Sequence, residues 1–217
     1  MPSNVGEIEV AWANELYFSG LGSGSSNTGL YRVDLTAATP VPSLIPITYP
    51  TSLSATGTGS VYFLRGTLVG GVAGTTLTSP VTINGFDLGE LRAVDFSGPG
   101  DFLIAGRINN VPKVKVFSGA VTTVPADVVE LHADIAGGYY AITQTGTSLN
   151  STYRLVHATQ ATSTTWTELA SISSVSKLTA AYGLDGNASH VVLVSGAVGA
   201  ALTSTVVTLP VPIAFVE

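Results

Sequence analysis

The apolar residues of this chain are concentrated in five short runs that recur at similar intervals. Each run follows a short strand-like segment and a tight turn containing Gly, Asp or, before the first run, Asn14, which is typical of an antiparallel hairpin. The runs begin at Leu16, Val61, Phe102, Tyr139 and Val191. Their spacings are 45, 41, 37 and 52 residues, with a mean of about 44. Because a four-stranded propeller blade takes roughly 40–50 residues, this interval predicts five blades in the 217 residues.

The near absence of polar residues within the apolar runs favours a propeller over a sandwich. Residues 61–64 (Val-Tyr-Phe-Leu) and 191–194 (Val-Val-Leu-Val) are apolar nearly throughout. A continuous apolar run predicts a strand that is buried on both faces. Inner strands of a propeller blade lie between two neighbouring blades, whereas a sandwich with one wet face produces alternation.

The same pattern assigns the outer strands of each unit. In the second unit it predicts a third strand at residues 75–79 and a fourth at residues 85–88. In the last unit it predicts a fourth strand at residues 211–217. Proline is confined largely to edge strands, and the fourth strands of the first and last units carry Pro42, Pro46 and Pro212.

The sequence therefore predicts an all-β fold, a five-bladed β-propeller of four-stranded antiparallel blades, as a single domain over residues 1–217. The approximate units are residues 6–50, 51–90, 91–127, 128–173 and 174–217. A β-sandwich or another open antiparallel β repeat is the alternative. A closed ring further predicts that residues 8–12 and 212–216 lie in the same blade or in adjacent blades.

One segment fits the β pattern less well than the rest. Between residues 166 and 182, Trp166, Leu169, Ile172 and Val175 recur at helical spacing. Ser and Thr crowd the same stretch and compete with a helical backbone for hydrogen bonds. We therefore predict strand, turn and strand here.

The succession of a turn, Val-Tyr-Phe at residues 61–63 and Leu-Tyr-Arg-Val-Asp-Leu at residues 30–35 resembles degenerate β-propeller blades of the TolB-like bacterial families. The resemblance extends over nearly the whole chain and implies the fold. The Pro-Asp-Gly turn of those families is absent; the nearest segments are residues 98–101 and 185–187. The Gly-His and Trp-Asp dipeptides of WD40 repeats are absent too. The resemblance therefore transfers no functional residue.

The composition and net charge of the chain limit the kinds of molecule that it is expected to bind. Only 10% of the residues are charged, against roughly 25% in an ordinary soluble domain. The net charge is −6 and the closest basic residues are Lys113 and Lys115, so nucleic acid is not an expected partner. Hydroxyl-rich surfaces of this kind suit an extracellular, cell-surface or virion protein. We expect no transmembrane segment and no signal peptide in this chain.

Carboxylates near the first turn of successive units are the candidates for chemistry. Asp95, Asp134 and Asp185 lie there, with Glu7 and Glu9 in the first unit. Innermost strands line the channel of a propeller, and paired carboxylates roughly 5–10 Å apart hydrolyse glycosides. Asp is also favoured in Asx-turns, which is the structural alternative. Counted from the apolar runs, Asp95 corresponds to His132 and Ser54 rather than to Asp134.

No cofactor or metal site is predicted. The chain has no Cys, and His132, His157 and His190 lack the HExxH or HxH spacing of a zinc site. A single histidine on a strand is expected to be a polar surface residue. The nucleophile elbow, the P-loop and the dinucleotide-binding glycine pattern are also missing in a suitable context.

These observations predict a non-enzymatic binding or structural module that presents loops on a propeller scaffold. Its partner is expected to be a protein or a glycan. Flexible small residues predict recognition by the loops at residues 20–29 and 68–75, with Gly22, Ser23, Ser25 and Asn27 as the binding-loop residues. Self-assembly through edge strands is a further expectation, because residues 203–216 are neutral and rich in Thr and Val. The alternative is a glycosidase-like, glycan-active enzyme that uses the channel carboxylates.

Overall fold

The structure is a computed structural model. It describes residues 8–11, 14–21, 28–55, 60–87, 90–98, 101–147, 150–175, 178–182, 189–195, 201 and 203–214. Within these ranges the chain forms β-strands, turns and irregular segments, with no helix. No helix that could cross a membrane occurs in the same ranges. The all-β prediction is confirmed.

The described strands form antiparallel sheets that follow one another along the chain, each with its strands in sequence order. The first sheet contains β1 (Ile8–Ala11), β2 (Glu15–Leu21), β3 (Thr28–Asp34) and β4 (Ser43–Thr48). The second contains β5 (Ser52–Ala55), β6 (Ser60–Arg65), β7 (Leu68–Ala73), β8 (Thr76–Leu77) and β9 (Val81–Thr82). Here β8 and β9 pair with the same strand, β7.

The third and fourth sheets have the four strands of a blade. The third contains β10 (Leu91–Gly98), β11 (Asp101–Ile108), β12 (Val111–Val116) and β13 (Val121–Thr123). The fourth contains β14 (Asp127–Ala133), β15 (Tyr139–Thr147), β16 (Asn150–Ala158) and β17 (Thr167–Val175). A last sheet has three described strands: β18 (Leu178–Tyr182), β19 (His190–Ser195) and β20 (Thr203–Thr208). Strands β17 and β18 confirm the two strands predicted within residues 166–182, and residues 176–177 between them lie outside the described residues.

The sheets are arranged as in a propeller. The first strands of successive sheets pack side by side, β1 against β5, β5 against β10, and β10 against β14. Buried apolar clusters fill the spaces between neighbouring sheets. The predicted propeller arrangement is confirmed, and four of the sheets have at least the four strands of a blade, where five such blades were predicted.

The two-face burial predicted for the second strands holds in β6 and not in β19. In β6, Val61 and Phe63 belong to the cluster between the first two sheets. Leu64, on the opposite face, belongs to the cluster between the second and third sheets. In β19, Val191 and Leu193 are buried between the last two sheets. Val192 and Val194 on its other face are only half-buried, so this strand is not buried on both faces as predicted.

The second sheet corrects three predictions. Its third strand is β7 at residues 68–73, and not residues 75–79, of which 76–77 form the short outer strand β8. Residues 68–75 were expected to be a flexible recognition loop, but residues 68–73 form β7, the central strand of that sheet. Its glycines are there because aromatic rings of β6 lie over them: a Cβ on Gly70 would be 2.4 Å from Cζ of Phe63, and one on Gly71 would be 3.0 Å from Cε1 of Tyr62. The fourth strand predicted at residues 85–88 is also wrong, because residues 85–87 form a bend.

The C-terminal segment corrects a further prediction. Residues 211–214 do not form a fourth strand of the last sheet. Ile213 instead makes an antiparallel bridge with Asp134, and the amide of Ala214 donates to the carbonyl oxygen of Ala133 at 2.8 Å. The described end of the chain thus pairs with the fourth sheet and not with the strand at Ile8–Ala11. Within the described ranges, no buried cluster joins the last sheet to the first.

Candidate functional site

The register of the inner strands aligns one position across all the sheets. Each residue at this position pairs with the second residue of the following apolar run. The residues are Glu9, Ser54, Asp95, His132 and Ala181, opposite Tyr17, Tyr62, Leu103, Tyr140 and Val192. The correspondence of Asp95 with Ser54 and His132 inferred from the sequence is therefore confirmed. Since β5 and β10 pack side by side, this position brings the side chains of Ser54 and Asp95 together.

Asp95 joins three successive sheets by hydrogen bonds. Its Oδ1 accepts from the hydroxyl of Ser54 at 2.6 Å, and its Oδ2 accepts from the backbone amide of Ala133 at 2.6 Å. The residue is only 8% exposed. A parallel bond runs from the amide of Val94 to the hydroxyl of Ser52 at 3.2 Å. Both carboxylate oxygens of Asp95 are thus engaged in holding neighbouring inner strands together.

Asp134 shapes the turn between β14 and β15. Its Oδ1 accepts from the amides of Ala136 and Gly138, each at 2.8 Å, which is the bonding pattern of an Asx-type turn. Its Oδ2 lies 2.7 Å from Nε2 of His157, and neither side chain reaches appreciable solvent. The contacts of Asp134 are therefore those of a residue that forms an Asx-turn, which was the structural alternative to catalysis.

His157 was expected on the surface, and that expectation is wrong. It lies on β16, is 5% exposed, and stacks on Tyr140 with ring centroids 4.4 Å apart. The hydroxyl of Tyr140 donates to the carbonyl of Val211 at 2.6 Å and lies 3.1 Å from the amide of the same residue. The two rings and Asp134 therefore fix the C-terminal segment against the fourth sheet. Burial raises the pKa of Tyr140.

The other sequence-derived candidates are not brought into one site by the described residues. Asp185 lies outside the described residues, as do the binding-loop residues Gly22, Ser23, Ser25 and Asn27. His132 is partly buried and lies 3.3 Å from the carboxylate of Glu130. Among the described residues, no group of three or more His, Asp or Glu side chains is placed to hold a metal ion.

A partly buried polar cluster lies in the first sheet. Glu15 pairs with Arg32 across β2 and β3, and the hydroxyl of Tyr17 donates to Oε2 of Glu15 at 2.6 Å. The bond from Arg32 holds the pKa of Glu15 below its usual value. Burial, followed by the bond to Glu15, raises the pKa of Tyr17 to about 12. The cluster has its charges paired internally, so it is a stabilising element of the sheet.

In the described part of the chain, at least three concave sites open between neighbouring sheets. One, of about 180 Å³, lies between the first and second sheets near Phe63. Another, of about 560 Å³, lies between the fourth and last sheets and has His157 in its wall. The third, of about 440 Å³, is lined by residues 120–125 with Thr162, Thr164 and Trp166, and we call it the Trp166 groove. Neither Asp95 nor Asp134 lines any of the three.

The edge strand β20 is the described feature most suited to pairing with another chain. Its residues Thr203–Thr208 are exposed, apart from the half-buried Val207, and Val206 is 60% exposed. It pairs on one side with β19. The strand contains no charged residue or proline, the usual devices that protect an edge from pairing.

These features define the chain as an all-β protein with a propeller arrangement of antiparallel sheets. No protein-family model matches the sequence, and no curated protein matches it. Among solved structures, a protein described as a candidate gluconolactonase is similar, with 14% identity and a TM-score of 0.60, over 98% of this chain and 76% of that one. A protein of unknown function from Bacteroides caccae matches at 13% identity and a TM-score of 0.47, over 88% of this chain and 68% of that one. At these identities the likeness shows the fold alone.

Proposed function

We propose that this chain is a non-enzymatic binding module built on a propeller scaffold. The observation that carries the proposal is the engagement of the candidate carboxylates. Asp95 binds Ser54 and Ala133, and Asp134 binds its own turn and His157. Both are buried, whereas a general base must be within reach of the substrate proton that it removes. Recognition then falls to surface grooves and loops between the sheets.

The complete architecture belongs to the same proposal. We take the three-stranded sheet of β18, β19 and β20 as a fifth blade and residues 1–217 as one domain of degenerate, TolB-like blades. The ordered succession of sheets along the chain and the apolar clusters between them support this count. The low charge and high hydroxyl content support an extracellular, cell-surface or virion location.

A glycan-active enzyme is the second candidate, and one observation favours it. The shared inner-strand position holds Glu9, Ser54, Asp95 and His132 in four successive sheets. Polar side chains repeated at the centre of a propeller are a suitable starting point for a catalytic site. The similar structure described as a candidate gluconolactonase is named for an enzyme, which gives the screen below a substrate class to include.

The test measures turnover and structural integrity together. Purified protein is incubated with glycoside and sugar-lactone substrates, in parallel with the variants Asp95→Asn and Asp134→Asn. Asn keeps the shape of Asp but cannot act as a nucleophile or general base. We expect no turnover by the unmodified protein and lower melting temperatures for both variants. Turnover that disappears in one folded variant would contradict the proposal and favour the enzyme.

Assembly through β20 is a third candidate, of the structural class. The exposed, neutral strand described above supports it. Antiparallel pairing of β20 from two copies would extend the last sheet across the contact. Sedimentation as a function of protein concentration measures this directly, and a monomer at all concentrations contradicts it.

A further inference from the structure

The Trp166 groove lies at the outer side of the third and fourth sheets. One wall is β13 and the residues next to it, which form the outermost strand of the third sheet. The other wall is the segment at residues 159–166, which leads into β17, the outermost strand of the fourth sheet. The volume of about 440 Å³ falls in the range of roughly 300–1,000 Å³ of small-molecule sites. The groove is thus separate from the carboxylates of the inner strands.

Hydrogen bonds hold the two walls in place. The hydroxyl of Thr122 donates across the groove to the carbonyl of Ala161 at 3.2 Å. The amide of Ala161 donates to the carbonyl of Gly137 at 3.1 Å. Gln160 and Ser163 close a turn, in which the amide of Ser163 donates to the carbonyl of Gln160 at 2.9 Å. A groove with fixed walls binds without the entropic cost of ordering a loop.

Trp166 gives the groove a fixed aromatic surface. Its Nε1 donates to the hydroxyl of Tyr139 at 3.0 Å, and Tyr139 is fully buried. The indole packs against the apolar cluster between the third and fourth sheets, yet it is only half-buried and also lines the groove. An anchored ring of this kind offers a large apolar contact area with little rotational freedom to lose.

The remaining lining is uncharged and rich in hydroxyl groups. Thr162 and Thr164 are exposed beside the indole, and no Asp, Glu, Lys or Arg is among the lining residues. Thr123 is exposed as well, and its hydroxyl accepts from the ammonium of Lys113, which lies next to the groove. A ligand that fits must then have an apolar face for the ring and hydroxyls for the threonines, without a net charge. A neutral pyranose has this combination, because its C–H face carries the slight positive charge that the face of an aromatic ring attracts.

We propose that the Trp166 groove binds a neutral pyranose residue of an oligosaccharide, with one sugar face against the indole and its hydroxyls toward the threonines. This inference rests on the proposed binding function and adds a ligand class and a site to it. A peptide is a poorer occupant, because β13 has only three residues and offers too short an edge for strand addition.

The test uses neutral hexasaccharides of glucose, mannose, galactose and N-acetylglucosamine as probes. The background variant is Trp12→Phe, which leaves Trp166 as the single tryptophan of the two in the chain, so that fluorescence reports on the groove alone. Binding is measured by fluorescence and by calorimetry. We expect at least one probe to bind and to change the emission of Trp166.

Two variants keep the result clear even if one of them folds poorly. Trp166→Ala removes the ring and should weaken binding at least tenfold. Thr164→Arg places a bulky cation in the groove at an exposed position and should abolish binding with an unchanged melting temperature. Val41→Arg, an equally bulky change at a position that is 67% exposed in the segment before β4, is the control and should bind as the background protein does.

The outcomes separate this inference from the proposed function. Binding that survives both groove variants would place the sugar elsewhere and overturn the groove while keeping the binding module. Failure of every probe to bind, or binding of peptides alone in the same groove, would overturn the sugar assignment. Cleavage of a probe, detected as new reducing ends, would contradict the non-enzymatic function even if the groove binds as proposed.

Discussion

Replacing Asp134 with Ala tests the role that the structure gives to this carboxylate. The change removes the acceptor of two backbone amides, at Ala136 and Gly138, and the partner of the buried His157 ring. Because the Asp134 carboxylate, the His157 ring and Gly138 are buried, water cannot replace the bonds that they lose. We therefore expect a loss of stability that is large for a single polar substitution.

The magnitude follows from the contacts. A buried polar group left without its partner costs about 1–3 kcal/mol, and Asp134→Ala removes the acceptor of the Gly138 amide and the partner of the His157 ring, both buried. We expect Asp134→Ala to lower the free energy of unfolding by about 2–5 kcal/mol. Asp134→Asn should cost less, since its carbonyl oxygen still accepts from the two amides.

The assay is equilibrium denaturation, followed by tryptophan fluorescence and circular dichroism. Asp87→Ala is the matched control, because Asp87 also accepts two backbone amides, from Asn109 and Asn110, but in an exposed turn. The control should cost about 1 kcal/mol. The double variant with His157→Ala should show coupling between the two side chains. A cost for Asp134→Ala no greater than that of the control would refute the structural role.

Four further predictions concern other parts of the molecule. Phe63→Ala should cost about 3–5 kcal/mol in denaturant melts, because the ring is 6% exposed and fills the cluster between the first two sheets; a loss below about 1 kcal/mol would contradict its burial. Gly138→Ala should lower the free energy of unfolding by roughly 1–3 kcal/mol, since the added Cβ would lie 2.2 Å from the carbonyl oxygen of Ala158. In the control Gly119→Ala the added Cβ meets no atom within 4 Å, so this variant should melt as the unmodified protein does. Tyr17 should ionise near pH 12 in alkaline difference spectra, and Tyr17→Phe should remove that ionisation step. Because the pKa of Tyr17 is raised in the folded state, its contribution to stability is fully present below the unfolded pKa of about 10 and is lost as the pH rises toward 12. Ionisation of Tyr17 near pH 10 would refute this prediction. If β20 mediates assembly, Val206→Lys should abolish concentration-dependent sedimentation, and assembly unchanged by the variant would exclude this strand.

Much of the strand pattern could be predicted from the sequence, because two-face burial leaves a local signature. The run at residues 61–64 is apolar for that reason, and its spacing from the run at 102–104 is the length of one blade. The equivalent positions of Asp95, Ser54 and His132 on their strands could also be predicted, because the register of an antiparallel hairpin follows from counting residues back across its short turn. The prediction failed at β7, where Gly70 and Gly71 suggested a loop. Their reason for being in a strand is the pair of rings on the neighbouring strand, which local composition does not reveal.

The candidate site was less predictable than the fold. Sequence placed Asp95 and Asp134 near the turns that follow the inner strands but could not tell a free carboxylate from one engaged by backbone amides. The buried position of His157 depends on Tyr140 and on the segment at Val211, which is distant in the sequence. In the sequence, Trp166 stands out only by its helical spacing from Leu169 and by being one of two tryptophans. The second feature was the only sequence signal for the Trp166 groove.

The sequence by itself determined the all-β class, the repeated hairpin and the absence of any cysteine chemistry, because these depend on local polarity and composition. The tertiary structure decided the rest. In the folded chain, Asp95 accepts hydrogen bonds from two neighbouring sheets, and Asp134 is buried against His157. Ile213 pairs with the fourth sheet, and residues 120–125 lie close to Trp166. Each of these contacts joins parts of the chain that are far apart in sequence, and their energy comes from excluding water between sheets, which no local pattern encodes.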